Sequence, residues 1–479
     1  MVKKRTQISG IALFVVLAAS SCDTLIAQTS VPPPLPEAPK VRLLAQSDLA
    51  QSPSPSQPQP GTQTGAEADP PQRLTRTDAE QMAMKNNPRI SVGRLIALAQ
   101  HQVVRETRAA ELPTALASVT AEDAEQATRI SAGTLTASRL FEHAGAGASA
   151  TQLITDFGKT RNLVLSSKLQ EKAQNASALA TVEDIVLATD QAFYNALQAQ
   201  ALLSVAKQNV ETRQTTDDQI GVMTKNKLKS TLDLSFADVN LSQAKLLLLD
   251  AENNADSTMA ALDDVLGLDK KLNFDLQGGT DALQAPPIDE DQLLQLALQQ
   301  RPDLQALDYN GQAAVKFSRA ERDQSLPSIS ALGTIGVVPI RPGSQYYPAN
   351  WWGGVGVNVN IPIFNGFLYT SQAKEATIRA QAAADQTRDL RDHIVRDVRT
   401  AWLSANTAYQ RVAVTEELLK QANLALQLAQ TRYQMGLSSI VELSQAQFQQ
   451  TDAAIGNTNA QYQYRLASSA LNFEIGATP

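Results

Sequence analysis

Ala297-Leu-Gln-Gln-Arg-Pro-Asp-Leu304 decides the fold once it is laid beside Ala83-Met-Lys-Asn-Asn-Pro-Arg-Ile90. In each, a polar residue and a proline interrupt a run of helix formers, and Pro302 follows Pro88 by 214 residues. Leu112-Pro113 and Leu326-Pro327 keep that offset. Further on, Leu228-Lys-Ser-Thr-Leu-Asp-Leu234 matches Leu437-Ser-Ser-Ile-Val-Glu-Leu443 at an offset of 209. Ala261-Leu262 with Gly267 matches Ala470-Leu471 with Gly476 at the same 209. Two halves of about 200 residues thus follow one plan, and repetition on this scale governs the fold. The drift from 214 to 209 puts a net loss of five residues between Pro327 and Leu437. Gly158 and Gly366, offset 208, narrow it to the stretch just after the second proline.

Each half opens with a helix. Thr77-Asp78-Ala-Glu80 and Asp289-Glu290 supply cap residues and early acids. The Asn-Pro or Arg-Pro step interrupts that helix, and a second runs to Leu112-Pro113 or Leu326-Pro327, where proline forces a stop. Next, Ile329, Ala331, Gly333, Ile335 and Val337 alternate with small or polar residues. After residues 339–352 the alternation resumes in Val355, Val357, Val359, Ile361 and Ile363. Period two over nine to eleven residues predicts strands at about 328–338 and 353–363, of the length and dyad pattern of a transmembrane barrel strand. Val355, Val357, Val359 and Ile361 would face lipid, and Tyr346, Tyr347, Trp351 and Trp352 would form an interfacial girdle. A soluble hairpin with one buried face predicts the same alternation but not the aromatic cluster. The matching first-half stretches, Leu116 to Glu122 and Gly147 to Thr155, are rich in Ala, Ser and Thr, and only the duplication marks them as strands, within about 114–155. Residues 123–146 read as a loop holding His143.

Long helices follow. No proline occurs from Thr114 to Ala285 or from Ile363 to Thr478. Helices are expected at 159–224 and 230–266, and again at 367–434 and 440–474, each long one returning antiparallel after a break at Lys225 to Thr231 or Met435 to Ser439. A helix of about 60 residues measures about 90 Å. Leu241, Ala244, Leu248, Ala251, Ala255, Thr258 and Leu262 make a 3-4 seam, which Leu418, Ala422, Ala425 and Ala429 continue. Gln, Asn, Thr and Ser crowd the other faces, which suits a coiled-coil rod or the wall of a water-filled tube.

The N-terminus is a different kind of segment. Lys3-Lys4-Arg5, an apolar run from Ile8 to Ala19 and the small residues after it make a secretory signal peptide, residues 1–27. The run is shorter than the roughly 20 residues a membrane span needs. The single cysteine, Cys22, excludes an internal disulfide framework. Ala18-Ala19-Ser20-Ser21 before it resembles a lipobox, with Ala19 where Leu is usual. Two readings stand: cleavage and lipidation at Cys22, or ordinary cleavage that discards it. Residues 28–71 hold 11 of the 22 prolines among Gln and Ser, too polar to bury a core, and read as a tether. Residues 72–284 and 285–479 are the two repeats. Charged residues are 19% and net charge is −7, with no Lys/Arg cluster for phosphates, which argues against nucleic acid as a partner.

Helix, hairpin, long helix, turn and helix, all duplicated, resemble the layout of the TolC-like outer membrane efflux proteins. Leu293 to Leu304, Asp156-Phe157-Gly158-Lys159, Pro362 to Gly366, and Arg432-Tyr433-Gln-Met-Gly436 through Ser439-Ile440-Val441-Glu442-Leu443 are similar to that family's local motifs, in order, over about Leu74 to Gly476. The resemblance implies a mainly α protomer with transmembrane β. It would give four strands to a trimeric twelve-stranded β-barrel in the outer membrane, continued by a long α-helical periplasmic barrel. It implies a homotrimer acting as the exit duct of a tripartite efflux pump or type I secretion system, with a periplasmic adaptor and an inner-membrane transporter as partners. It places the periplasmic entrance at Leu228 and Asp233 in one helix turn and at Gly436, Leu437 and Glu442 in the other. Gln445 stands where the family often has a second acid, and Lys227 replaces the glycine that Gly436 keeps. Rings of Asp233 and Glu442 would favour cations; both also suit helix starts, where the dipole favours acids. A non-conducting periplasmic coiled-coil scaffold is the competing reading. No metal, cofactor or enzymatic activity is expected. Asp156-Phe-Gly158 lacks the other kinase motifs, and His101, His143 and His393 lack ligand spacing.

Overall fold

The computed structural model describes residues 72–122, 129–132, 135–139, 143–268, 274–278, 283–287, 289–338 and 350–477. The signal segment, Cys22, the tether, Tyr346 and Tyr347 lie outside them. In chain order the elements are β1 (Gln72–Thr75), α1 (Arg76–Asn86), α2 (Pro88–Ala109), β2 (Thr114–Glu122), β3 (Arg129–Ala132), β4 (Leu135–Arg139), β5 (His143–Thr155), α3 (Lys159–Lys225) and α4 (Thr231–Val265). The second half runs β6 (Phe274–Gln277), α5 (Glu290–Gln300), α6 (Pro302–Asp323), β7 (Ser328–Val338), β8 (Asn350–Asn360), α7 (Leu368–Gln434) and α8 (Ile440–Glu474). Helix starts and the first strand recur at 214 up to β2 and β7, and at 209 from α3 and α7 onward.

That recurrence corrects one alignment. The turn into α3 uses Phe157 and Gly158 at φ 56° and 119°, and the turn into α7 uses Gly366 and Phe367 at 63° and 65°. Gly366 therefore corresponds to Phe157, not to Gly158. The same two left-handed positions are kept, and only the one that receives glycine has moved. The five-residue loss falls wholly within the hairpin.

Four strands form one antiparallel sheet in the order β2-β5-β7-β8. Its boundaries differ from the sequence reading. β8 ends at Asn360, paired with Ser328, so Ile361 and Ile363 lie beyond the ladder. β7 starts at Ser328, directly after Pro327, as expected, whereas β8 begins at Asn350 rather than near 353, and Pro362 has no N–H to extend it. The stretch read as a loop, 123–146, contains the β3–β4 hairpin. β5 begins at His143, opposite Glu122, rather than at Gly147. Pairing with β7 holds that segment extended, as in Ala146 opposite Val337, where local propensity is weak.

The helical layer continues the sheet in the same order. α2 packs on α3, α3 on α6 and α6 on α7, while α4 and α8 return along α3 and α7. On α4 the expected seam is the buried one, from Leu241 to a fully enclosed Leu262. On α7 it is shifted: Leu418 and Ala425 are exposed, and the partner-facing row is Thr415, Leu419, Ala422, Leu426, Ala429 and Tyr433. Arg213, buried between α3 and α8, donates to Asn209 and Gln447.

Below the sheet, β1 and β6 pair in parallel, which no periodicity announces in four residues. They set Leu74, Phe274 and Leu276 into a core with Phe193, Leu197, Ile90 and Leu266. Because β1 runs into α1, the cap is Thr75 rather than Thr77: the Thr75 hydroxyl accepts from the Asp78 N–H, and Asp78 reaches back to the Thr75 N–H. Each half then closes at its proline. Asn87 Nδ2 donates to the Val265 carbonyl at 2.9 Å. Arg301, the duplicate of Asn87, donates to the carbonyl and the carboxylate of Glu474, the duplicate of Val265, and also holds Asp303. Gly267 and Gly476, both at φ +69°, bring the chain against these corners. A Cβ on Gly267 would sit 3.0 Å from the Asn86 carbonyl oxygen. Gly267→Ala should therefore destabilise the protein by more than the roughly 1 kcal/mol of left-handed backbone alone; an unchanged thermal midpoint by circular dichroism would show that the corner can give way.

Where α1, α3 and α8 meet, Glu80 and Asp190 are buried together. Arg76 Nη1 lies 3.3 Å from Glu80 and 3.1 Å from Asp190, and the Ser469 hydroxyl donates to Asp190 at 2.8 Å. Burial, then the hydrogen bond with Asp190, push the Glu80 carboxyl from its ordinary 4.5 up to about 7, against the pull of Arg76. A carboxyl with a raised folded pKa contributes stability that is complete below pH 4.5 and lost as pH rises through 7. Glu80→Gln should remove that decline and stabilise the protein at pH 8 by on the order of a few kcal/mol. Denaturant titrations of both proteins at acid and alkaline pH check this, and parallel pH profiles would refute it.

Candidate functional site

The sheet has two chemically distinct faces, and register assigns every strand residue to one of them. Trp351, Val355, Val357 and Val359 lie opposite Val337, Gly333, Ala331 and Ile329. Through β5 and β2 the same face continues in Ala146, Ala148 and Ala150 and in Ala115, Ala117 and Val119. The other face carries Gly354, Gly356, Asn358, Asn360, Ser328, Ser330, Thr334, Ser149, Thr151, Ser118 and Thr120. One face is thus mostly Val, Ile and Ala, with Gln152 among them; the other is mostly Asn, Ser, Thr and Gly, with Leu116, Leu153, Leu332 and Trp352 among them. The apolar face is uncovered within the chain: Val355 is 94% exposed and Val119 80%. The first-half part of this face escaped the sequence reading, although Ala115, Ala117 and Val119 alternate with Leu116, Ser118 and Thr120. Alanine is a weak apolar signal, and Leu116 falls on the polar side.

The expected aromatic cluster is divided. Trp351 shares the valine face, but Trp352 stands on the other, with its ring 3.0 Å from where a Cβ on Gly336 would sit. Adjacent strand residues must point to opposite faces. At the other end of β8, where the sheet meets the helices, Phe364 and Phe367 are 76% and 69% exposed and stack edge to face at 5.6 Å. Sequence reading passed over this second aromatic edge. Asp156 fixes the matching first-half turn by accepting from the Thr160 N–H at 2.7 Å and the Gly158 N–H at 3.3 Å.

At the far end of the long helices two turns are built alike. Lys227 and Gly436 both adopt left-handed backbone, at φ 59° and 72°. The next amides, Leu228 and Leu437, return to the Met223 and Arg432 carbonyls at 2.9 and 2.8 Å. Ser230 and Ser439 then cap α4 and α8. Ile220, Tyr433, Ile440 and Leu443 form the core of this tip, whereas Leu228 and Leu437 stand out of it, 73% and 65% exposed. The two acids differ. Asp233 closes a capping box by accepting from the Ser230 N–H at 3.2 Å. Glu442 pairs across its own turn with Arg432 at 3.1 Å. Lys229 Nζ lies 4.1 Å above the Tyr433 ring, and burial, then the Asp233 charge, push the Tyr433 phenol up. Each tip therefore mixes acids with cations. Among the described residues no group of His, Cys, Asp and Glu is arranged to hold a metal, and no helix is long and apolar enough to cross a membrane. Lys227→Gly should relieve about 1 kcal/mol of backbone cost and slow amide exchange at Leu228; faster exchange would show that the lysine side chain steadies the turn.

Comparison with known proteins places this geometry. The family model described as outer membrane efflux protein matches residues 293–477. The outer membrane protein TolC of Escherichia coli (strain K12) is 23% identical over 343 residues, covering 68% of each chain. Among solved structures, CusC superposes with a TM-score of 0.75 at 19% identity, over 84% of this chain and 92% of the other. The CmeC outer membrane channel of Campylobacter jejuni gives 0.74 at 18% identity, over 84% and 85%.

Proposed function

The chain is a relative of the TolC-like outer membrane efflux proteins, and from that premise we propose that it forms the exit duct of a tripartite efflux pump or type I secretion system. It is an outer membrane protein that extends into the periplasm. One observation carries the channel reading. The sheet presents a face made mostly of Val, Ile and Ala and ends in two strands, β2 and β8, whose outer edges are unpaired among the described residues. Hydrocarbon tolerates neither open edges nor unpaired backbone groups. Closing three such sheets into a twelve-stranded barrel pairs every edge, keeps the valine face toward lipid and encloses the Asn, Ser and Thr face around water. β7 and β8 have 11 residues each, about 36 Å at about 3.3 Å per residue, enough to cross an apolar band about 25 Å tall at a tilt.

In this reading α3 and α7, 67 residues each, prolong the bore by about 100 Å into the periplasm. Residues 1–27 direct export, residues 28–71 tether the N-terminus, and residues 72–284 and 285–479 are the two repeats. Lipidation of Cys22 would add an anchor to this arrangement. The tips carrying Leu228, Asp233, Gly436, Leu437 and Glu442 converge at the entrance, where a periplasmic adaptor and an inner-membrane transporter dock. The work of transport is done by that transporter, so the duct needs no catalytic group. A coiled-coil scaffold would share the helices, but it leaves the exposed valine face and the open strand edges without a purpose.

Purified protein should migrate as a heat-modifiable trimer and conduct ions in planar bilayers; a monomer that leaves bilayers silent would refute the duct. Glu442→Ala frees Arg432 at the entrance and should shift the reversal potential toward lower cation selectivity. A reversal potential equal to that of the parent would remove Glu442 from the ring.

A further inference from the structure

Just beneath the sheet, α6 and α7 enclose a groove of about 470 Å³. Arg319 and Arg322 enter it from α6 and Lys374 from α7, with the hydroxyls of Ser318, Ser325, Tyr369, Thr370 and Thr377 between them. Among the described residues no carboxylate lines it. The nearby acids are engaged elsewhere: Glu321 accepts from Gln324, Asp323 from Asn162, and Glu375 pairs with Arg379. The hydroxyls of Ser318, Ser325 and Thr377 donate to the Val315, Arg322 and Ala373 carbonyls, so the three cations carry the site. Three cations sharing one cleft form an anion site, and arginine suits phosphate above other anions.

The place of the groove selects the source of the phosphate. Ser325 precedes β7 by three residues, and Tyr369 follows the exposed Phe364–Phe367 pair. Following the chain down from β8 into α7, side chains pass from aliphatic at Val359 to aromatic at Phe364 and Phe367 and to cationic at Lys374. That is the layering of a bilayer from hydrocarbon through interface to headgroup. Ile378, 64% exposed, lines the groove one turn beyond Lys374, on the side away from the sheet. A lipid whose phosphate sits among the cations and whose acyl chain rises toward the exposed phenylalanines and the sheet complements this order; a free anion complements the cations alone. The geometry points to a phospholipid of the inner leaflet of the outer membrane, its phosphate held by Arg319, Arg322 and Lys374 and its chain running up past Phe367. The assignment rests on the barrel reading above, because only a membrane-inserted sheet brings this level to the headgroups.

The test uses the purified full-length trimer and the triple variant Arg319→Gln/Arg322→Gln/Lys374→Gln. Both are equilibrated in detergent micelles containing phosphatidylglycerol and, separately, diacylglycerol, which lacks the phosphate. Retained lipid is counted by native mass spectrometry. The parent should keep phosphatidylglycerol in strong preference to diacylglycerol, and the triple variant should bind it about a hundredfold more weakly, from about 1 kcal/mol per cation. Millimolar inorganic phosphate should not displace the lipid. Equal retention by parent and variant, or displacement by phosphate alone, would overturn the site, the latter by making it a free-anion site. Heat-modifiable migration and conductance are recorded on the same samples. A parent that forms trimers and conducts but shows no lipid preference refutes the groove and spares the duct; a parent that does neither refutes the duct itself.

Discussion

Backbone polar groups that have left water must find partners, and the architecture of this chain is organised around that requirement. Within one copy β5 and β7 are paired on both sides, and among the described residues β2 and β8 each keep one open edge. Both faces of the sheet are bare, one of them mostly Val, Ile and Ala. In water such a sheet would be an aggregation hazard. Closed on copies of itself in a bilayer, it becomes a wall. The helical layer obeys the same order, since each of α2, α3, α6 and α7 joins one strand directly. A closed sheet therefore imposes a closed ring of helices below it.

Duplication supplies the means of building such a wall from one chain. Each half bends at its proline and is pinned where the residue before that proline reaches the end of its own return helix. The first half uses a neutral amide on the Val265 carbonyl, and the second a guanidinium on Glu474. The geometry was kept while the chemistry diverged, because the corner requires a donor at that point and not a particular one. The strand-to-helix turns show the same thing. Two consecutive left-handed residues are retained, although glycine occupies the second in one half and the first in the other. Phe157 and Phe367 accept backbone strain there, which places their rings at the edge of the sheet.

The tips depart from a simple acidic ring. Asp233 serves its own helix start and Glu442 is partly neutralised by Arg432. Lys227 and Lys229 stand beside them. The carboxylates that would meet a permeating ion are thus set within a field of cations from the same turns. In the proposed duct the charge of the entrance would depend on how three tips converge, not on a count of its acids.

Much of the plan is legible in the chain itself. Pro88 and Pro302, Gly267 and Gly476, and the Val355–Val357–Val359 alternation need no tertiary information, because proline, glycine and period two act through local backbone geometry. The four long helices were readable to within a residue or so, since helix stop signals are equally local. Other features depended on pairing. Ala115 and Ala146 lie on the lipid-like face only because register aligns them with Val355 and Val337 across the sheet. The β1–β6 pair joins segments about 200 residues apart, each too short to declare itself. Trp352 stands apart from Trp351, Leu418 is exposed, and the seam on α7 moves by one residue, because a face is defined by the neighbour it packs against. Local sequence determined where the backbone bends and how long its elements run; tertiary pairing alone decided which side of each element is covered, since burial belongs to contacts between segments and not to any one of them.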